Sequence, residues 1–142
     1  MSAEESKSIV RRLLEEPWTD LDVVDELVDE SYVGHDSSLP GPLDGPQGFK
    51  DNVSMFRAAY SDARITVDDQ IAEGDTVASR WTGRGTHDGE LMGVPASGKQ
   101  VTVSGIVVSR VANGKVVEEW TNWDTLGMLQ QIGAVPGPAR VQ

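Results

Sequence analysis

The residues best suited to chemistry stand where the last predicted strand runs out. Side chains alternate between residues 115 and 124, so Val116, Glu118, Trp120, Asn122 and Asp124 fall on one face and Val117, Glu119, Thr121 and Trp123 on the other. Asp124 therefore shares a face with Trp120 and Asn122. A carboxylate in a tryptophan-lined, water-poor setting has its pKa raised by desolvation, which makes it a better base, and the same group can return the proton. Removing a proton beside a carbonyl needs such a base and a donor for the developing enolate oxygen. The plainer reading is that an aspartate at a strand-to-helix junction caps the helix. Glu118 and Glu119 form a charged pair in an otherwise apolar strand, so one of them must face inward or into an interface.

In the strand over 76 to 87, Val77, Ser79, Trp81, Gly83, Gly85 and His87 share one face and Arg80, Thr82 and Arg84 the other, unless a glycine bulge swaps them. Trp81 and Trp120 read as core that can also wall a pocket, with Phe56, Met92 and Asn122 as further contacts for an apolar ligand. Arg80 and Arg84 read as a solvated or dimer-facing surface, or as partners of an ester or carboxylate oxygen if their face turns inward. Two histidines make a multi-histidine metal cage improbable, and the lack of cysteine excludes a disulfide framework, a thiolate zinc site and a cysteine nucleophile.

Three helices must precede the strands. Ser2 and Glu5 have capping-box spacing, and Ile9, Val10, Leu13 and Leu14 recur at helical steps up to Pro17, which predicts a helix over about 3 to 16. A short helix should start at Thr19 or Asp20 and carry Leu21, Val24, Leu27 and Val28. The stretch GHDSSLPGPLDGP is a loop whose Pro46 opens a third helix to about Tyr60, offering Phe49, Val53, Phe56 and Tyr60 to a core. Strands are predicted over 63 to 73, 76 to 87, 99 to 111 and 115 to 124, with Gly74-Asp75 and Asn113-Gly114 as turns. A short strand near Tyr32 to Asp36 and a last helix over about Thr125 to Ile132 complete the set. Helices first and a long meander afterwards argue for an α+β fold with helices on one face of the sheet. Strands of a dozen residues twist, and Gly83, Gly85 and Gly105 are places to bend, so the sheet should close into a cone with a hollow inside.

At 142 residues the chain fits one domain, read as residues 1 to 134 with a tail over 135 to 142. No apolar run reaches the roughly 20 residues that cross a bilayer, and the charged N-terminus lacks the apolar stretch of a signal peptide, so a cytoplasmic location is expected. The formal net charge of -11 opposes binding to nucleic acid or an anionic membrane. The acids are spread along the chain as a solvated surface, in the manner of adaptation to high salt.

The segments HDSSLPGPLDGPQGF, VASRWTGRGTHDGELMGVPASGKQVTVSGIVVSRVANGKVVEEW and NWDTLGMLQQIG resemble the SnoaL-like polyketide cyclases, also called ester cyclases, within the nuclear transport factor 2-like superfold. The resemblance spans roughly residues 5 to 134. It implies a cone-shaped α+β barrel, a dimer through the outer sheet face, and a buried pocket without metal or cofactor. It also implies an intramolecular aldol reaction on a polyketide methyl ester, with aspartate as acid and base. Asp124 is the matching position. His35 matches the histidine that opens the first family motif and His87 the one in its GTH motif, and either could donate to an oxyanion or orient the acid. The family's further histidine on the neighbouring long strand has no counterpart in VTVSGIVVSR.

Taken together, these features point to a cofactor-independent lyase or isomerase acting on an apolar carbonyl compound, with Asp124 as acid and base and His35 or His87 as donor. A binding protein with the same pocket and no chemistry is the rival. Hydrolysis of an epoxide or ester ranks last, because Asp124 has no second acid on its face nearer than Glu118.

Overall fold

Ser2 begins the first helix in the way its spacing predicts: its hydroxyl accepts the Glu5 N–H at 3.1 Å while the Glu5 carboxylate takes the Ser2 N–H. This helix, α1 (Ala3–Glu15), buries Val10 and Leu13 and is followed by Pro17. The structure, a computed structural model, describes residues 2–137. The predicted tail beyond Gly137 lies outside the described residues. The second helix, α2 (Val23–Leu27), is shorter than predicted, because Val28 is already extended and pairs with Val116 at the start of β1 (Val28–Asp36). A two-residue strand, β2 (Leu43–Asp44), is too short to leave a periodic signature in the Gly/Pro-rich loop. Helix α3 (Gly45–Ala59) follows with Pro46 in its first turn.

Strands β3 (Arg64–Glu73), β4 (Thr76–Thr86), β5 (Gln100–Ala112) and β6 (Lys115–Trp123) then form a meander that ends in α4 (Thr125–Gln131). The sheet order is β2-β1-β6-β5-β4-β3, with β1 parallel to β6 and the other pairs antiparallel. Asn113 and Gly114 both take positive φ, 53° and 78°, which gives the β5–β6 hairpin a turn whose twist matches that of the strands. Among the described residues no helix is long and apolar enough to cross a membrane.

One irregularity sets the orientation of half of β6. Arg110 pairs with Glu118 but Val111 pairs with Val116, so Val117 is an extra residue with no partner of its own. On either side of the bulge the interior residues are Val116 and then Glu119, Thr121 and Trp123. Simple alternation put Val116 on the same face as Trp120, and the bulge breaks that phase. No such shift occurs in β4, where Val77, Ser79, Trp81 and Gly83 face the interior together.

Helix α1 lies over β3 and β4, α3 over β1 and β2, and α4 against β5. Their apolar faces build two clusters. One joins Val10, Leu13, Val24 and Leu27 to Tyr32, Val77 and Val116; the other joins Tyr60 and Leu91 to Val101, Met128 and Ile132. Between the two clusters Trp81 of β4 lies across the sheet over Gly105, which sits between Trp81 and Trp123 in register. A β-carbon on Gly105 would stand 2.7 Å from the Trp123 β-carbon and inside the Trp81 indole. The backbone-proximal atom of Trp123 cannot yield, so Gly105→Ala should destabilise the protein by about 1–3 kcal/mol through overpacking. Thermal unfolding followed by circular dichroism should show a midpoint several degrees lower; an unchanged midpoint would mean that the tryptophans are free to move aside.

Candidate functional site

The space left between the two clusters is a cavity of about 170 Å³ under the concave face of the sheet. Leu13 and Leu14 from α1 and Phe49, Val53 and Phe56 from α3 form its helical wall; Trp81, Val103, Val107 and Trp123 form its sheet wall, and Met128 closes one side. Phe56 meets Trp123 edge-on at 5.8 Å between ring centroids, which fixes the aromatic corner of the wall. The surface is apolar almost throughout, so its few polar atoms stand out.

Among the described residues two carboxyl groups border the cavity: Asp36, tied to the Ser38 N–H and hydroxyl, and Glu119, the buried one. Glu119 is 4% exposed, and its two oxygens each accept a hydroxyl: Tyr32 Oη donates to Oε1 at 3.0 Å and Ser109 Oγ to Oε2 at 2.6 Å. Burial raises its pKa above the ordinary carboxyl value, and the two hydroxyl hydrogen bonds oppose that rise. The same burial, with the Glu119 charge beside it, pushes the Tyr32 phenol upward, so Tyr32 stays a donor. Two further donors belong to residues of the cavity wall and have no hydrogen-bond partner among the described residues: the Tyr60 hydroxyl and the Trp81 indole Nε1–H, both buried. A buried donor left unpaired costs about 1–3 kcal/mol, a cost that an oxygen on a bound molecule relieves.

The candidates drawn from sequence separate into two groups. Trp81 and Phe56 line the cavity. Trp120 does not, being 42% exposed on the outer face. Asn122 also faces outward, where Ser37 Oγ donates to its Oδ1 at 3.0 Å. Both are corrected by the bulge at Val117. Met92 is corrected too: it sits in the loop after β4 with φ of 50° and is 52% exposed.

Asp124 accepts the Gly127 N–H at 2.8 Å and caps α4, with its side chain in solvent and outside the cavity wall. Gly127 permits this close approach, since a β-carbon there would meet the Asp124 carboxyl carbon at 2.6 Å.

His35 borders the cavity through its strand, but its imidazole is committed to the outer face. There it bonds Glu118 Oε2 at 2.8 Å and stacks on Trp120 at 5.6 Å. Glu118 also meets Arg110 at 3.2 Å, and its pKa is lowered chiefly by the His35 hydrogen bond, then by that from Arg110. His87 is fully buried behind Tyr60, 5.4 Å ring to ring, and is not part of the cavity wall. The Ser97 N–H donates to His87 Nδ1 at 3.2 Å, so the neutral ring carries its hydrogen on Nε2, which has no partner among the described residues.

Arg80 is exposed on the outer face 3.7 Å from Asp68, and Arg84 is exposed on the same face while its position borders the cavity. Among the described residues no group of three or more acidic, histidine or cysteine side chains is arranged to hold a metal ion.

Sequence reasoning missed Tyr32 and Ser109 as site residues and read Tyr60 as core alone. It placed Glu118 and Glu119 on opposite faces without deciding which of them turns inward, and nothing in the sequence marks Val117 as the bulge that decides it.

A sequence profile described as SnoaL-like polyketide cyclase matches residues 8–132. The chain is 30% identical over 129 residues to aklanonic acid methyl ester cyclase DnrD of Streptomyces peucetius, covering 88% of each protein. It is 28% identical over 114 residues to nogalonic acid methyl ester cyclase of Streptomyces nogalater, covering 79% of this chain and 84% of that one. Among solved structures, wild-type IdmH of Streptomyces antibioticus superposes with a TM-score of 0.78 at 33% identity, covering 90% of this chain and 98% of its own.

The raised pKa of Glu119 has a consequence for stability. Above the ordinary carboxyl value and up to the folded-state value, the native protein holds a proton that the unfolded chain has lost, so stability falls as pH rises through that window. Glu119→Gln keeps an acceptor for Tyr32 and a partner for Ser109 but has no proton to lose. Its melting temperature relative to wild type should therefore increase from pH 4 to pH 8. A difference that stays flat across that range would mean that Glu119 ionises as an exposed carboxyl does.

Proposed function

Because the chain belongs to the SnoaL-like polyketide cyclase family, we propose that it closes a ring in an apolar, carbonyl-bearing molecule held in the cavity, by acid–base chemistry without a cofactor. The observation that carries this reading is an apolar cavity whose wall holds a buried carboxyl group and two unpaired donors, Tyr60 Oη and Trp81 Nε1. An intramolecular aldol closure needs little else. A base takes the hydrogen on a carbon beside a carbonyl, and the C–H electron pair becomes an enolate. That carbon attacks a second carbonyl carbon, whose π pair moves to its oxygen, and the acid returns the proton there. Every atom is retained and no electron leaves the molecule. The unpaired donors supply hydrogen bonds to a carbonyl oxygen of the bound molecule.

The resemblance assigns the acid–base work to Asp124, but its carboxylate would have to leave the Gly127 N–H and turn inward to meet a molecule in the cavity. The reaction is placed in the cytoplasm.

Aklanonic acid methyl ester and nogalonic acid methyl ester, after which two relatives are named, are the first substrates to try. Chromatography should show a cyclised product of unchanged mass. Tyr60→Phe should raise KM by roughly threefold to tenfold, the effect of one hydrogen bond worth about 1 kcal/mol. Tight binding with no new product would favour the binding-protein reading, and release of methanol with a free acid lighter by one CH2 group would favour hydrolysis.

We also propose a homodimer through the outer sheet face. Ile106, 53% exposed, and Trp120 lie there on neighbouring strands beside Val108, an apolar patch that a second copy would cover. Light scattering should give twice the chain mass for the wild type and the single-chain mass for Trp120→Glu; a wild-type monomer would end this assignment.

A further inference from the structure

We propose that Glu119, rather than the family-matched Asp124, is the catalytic acid and base of the cavity, acting on a carbon acid near Tyr32 while Trp81 and Tyr60 supply donors to oxygens of the same molecule. This inference rests on the ring-closure reading above and names the residue that performs it.

Glu119 has the position the role demands. The bulge at Val117 turns it into the cavity, and it is held by two hydroxyls from opposite sides, Tyr32 on β1 and Ser109 on β5. Neither partner is a cation, so the carboxyl group is not locked in its ionised form. A fold that needed only to satisfy two hydroxyls could use a glutamine there at no ionisation cost. A carboxyl in their place adds one capability, the exchange of a proton within an apolar wall.

Its titratable neighbours are few. From β1 come Tyr32 and Asp36, the latter tied to the Ser38 N–H and hydroxyl at 2.8 and 2.6 Å. From the end of α3 comes Tyr60, and at the β3 and β4 margin Arg64 and Arg84. Helix α1 presents Leu13 and Leu14, its Arg11 and Arg12 being paired with Glu15, Glu16 and Glu26 away from the cavity. The His35 imidazole is held on the outer face, and His87 is not in the wall.

The register also separates the two groups. Glu119 faces Ser109 across the β5–β6 pair, whereas Trp123, Gly105 and Trp81 share a row four residues further along β6. At about 3.3 Å per residue the backbone rows that carry Glu119 and Trp81 are about 13 Å apart along the strand.

The test is steady-state turnover of aklanonic acid methyl ester by wild type, Glu119→Gln, Glu119→Asp, Tyr32→Phe and Asp124→Asn, each verified as folded by circular dichroism. Glu119→Gln should lose about a hundredfold or more in kcat with KM little changed. Glu119→Asp should retain the acidic limb of the pH profile at reduced kcat, which keeps the test open if the Gln variant folds poorly. Tyr32→Phe removes a hydrogen bond that favours the ionised carboxylate, so the limb should move to higher pH, a shift that a purely structural role for Glu119 does not produce. Wild-type turnover in Glu119→Gln, or a limb unmoved in Tyr32→Phe and erased in Asp124→Asn, would overturn the assignment while leaving the ring-closure reading intact. If wild type converts neither methyl ester, that reading falls and this inference falls with it.

Discussion

The arrangement of the interior turns on one unpaired residue in β6. Val117 has no partner on β5, and from that point the strand shows its other side to the helices. Without the bulge, Glu118, Trp120 and Asn122 would face the cavity and Glu119 would lie in solvent. With it, an acidic side chain stands in the wall where two hydroxyls reach it, while the large indole of Trp120 moves to the outer face beside His35. A strand's side-chain period is two, so a single inserted residue exchanges the whole set beyond it.

Burying Glu119 is unfavourable by itself, since a carboxylate taken out of water loses far more hydration than two neutral hydroxyl hydrogen bonds restore. The Tyr60 hydroxyl and the Trp81 N–H add to that cost, being buried with no partner among the described residues. Well-packed interiors avoid such atoms, and their concentration around one cavity is what separates this site from ordinary core. The glycines of β4 and β5 belong to the same design. Gly83 and Gly105 let the Trp81 ring lie against the sheet, and Gly85 does the same for Tyr60, so both aromatic donors are held by contact with backbone.

The charges on the outer face form a separate system. Glu118 bridges His35 and Arg110, and these contacts hold its pKa below the usual carboxyl range. Adjacent glutamates in one strand are thus driven in opposite directions: Glu118 towards ionisation by partners in a polar setting, Glu119 towards protonation by an apolar one.

The elements and their order were legible in the sequence because each rests on local chemistry. The Ser2–Glu5 capping box, Pro46 at the start of α3, the Asn113-Gly114 hairpin and the alternation along β4 all act between near neighbours, and the inward face of Trp81 follows from them. The family motifs likewise gave the cone-shaped α+β fold. What tertiary structure decided was the phase of β6, and through it the site. The bulge at Val117 lies where β6 pairs at once with β5, its hairpin neighbour, and with β1, far earlier in the chain, and a valine in a valine-rich strand carries no local mark of it. Asp124 shows the same limit: its residue type suits a base and a helix cap equally well, and only the position of Gly127 beneath its carboxylate places that group on the helix end.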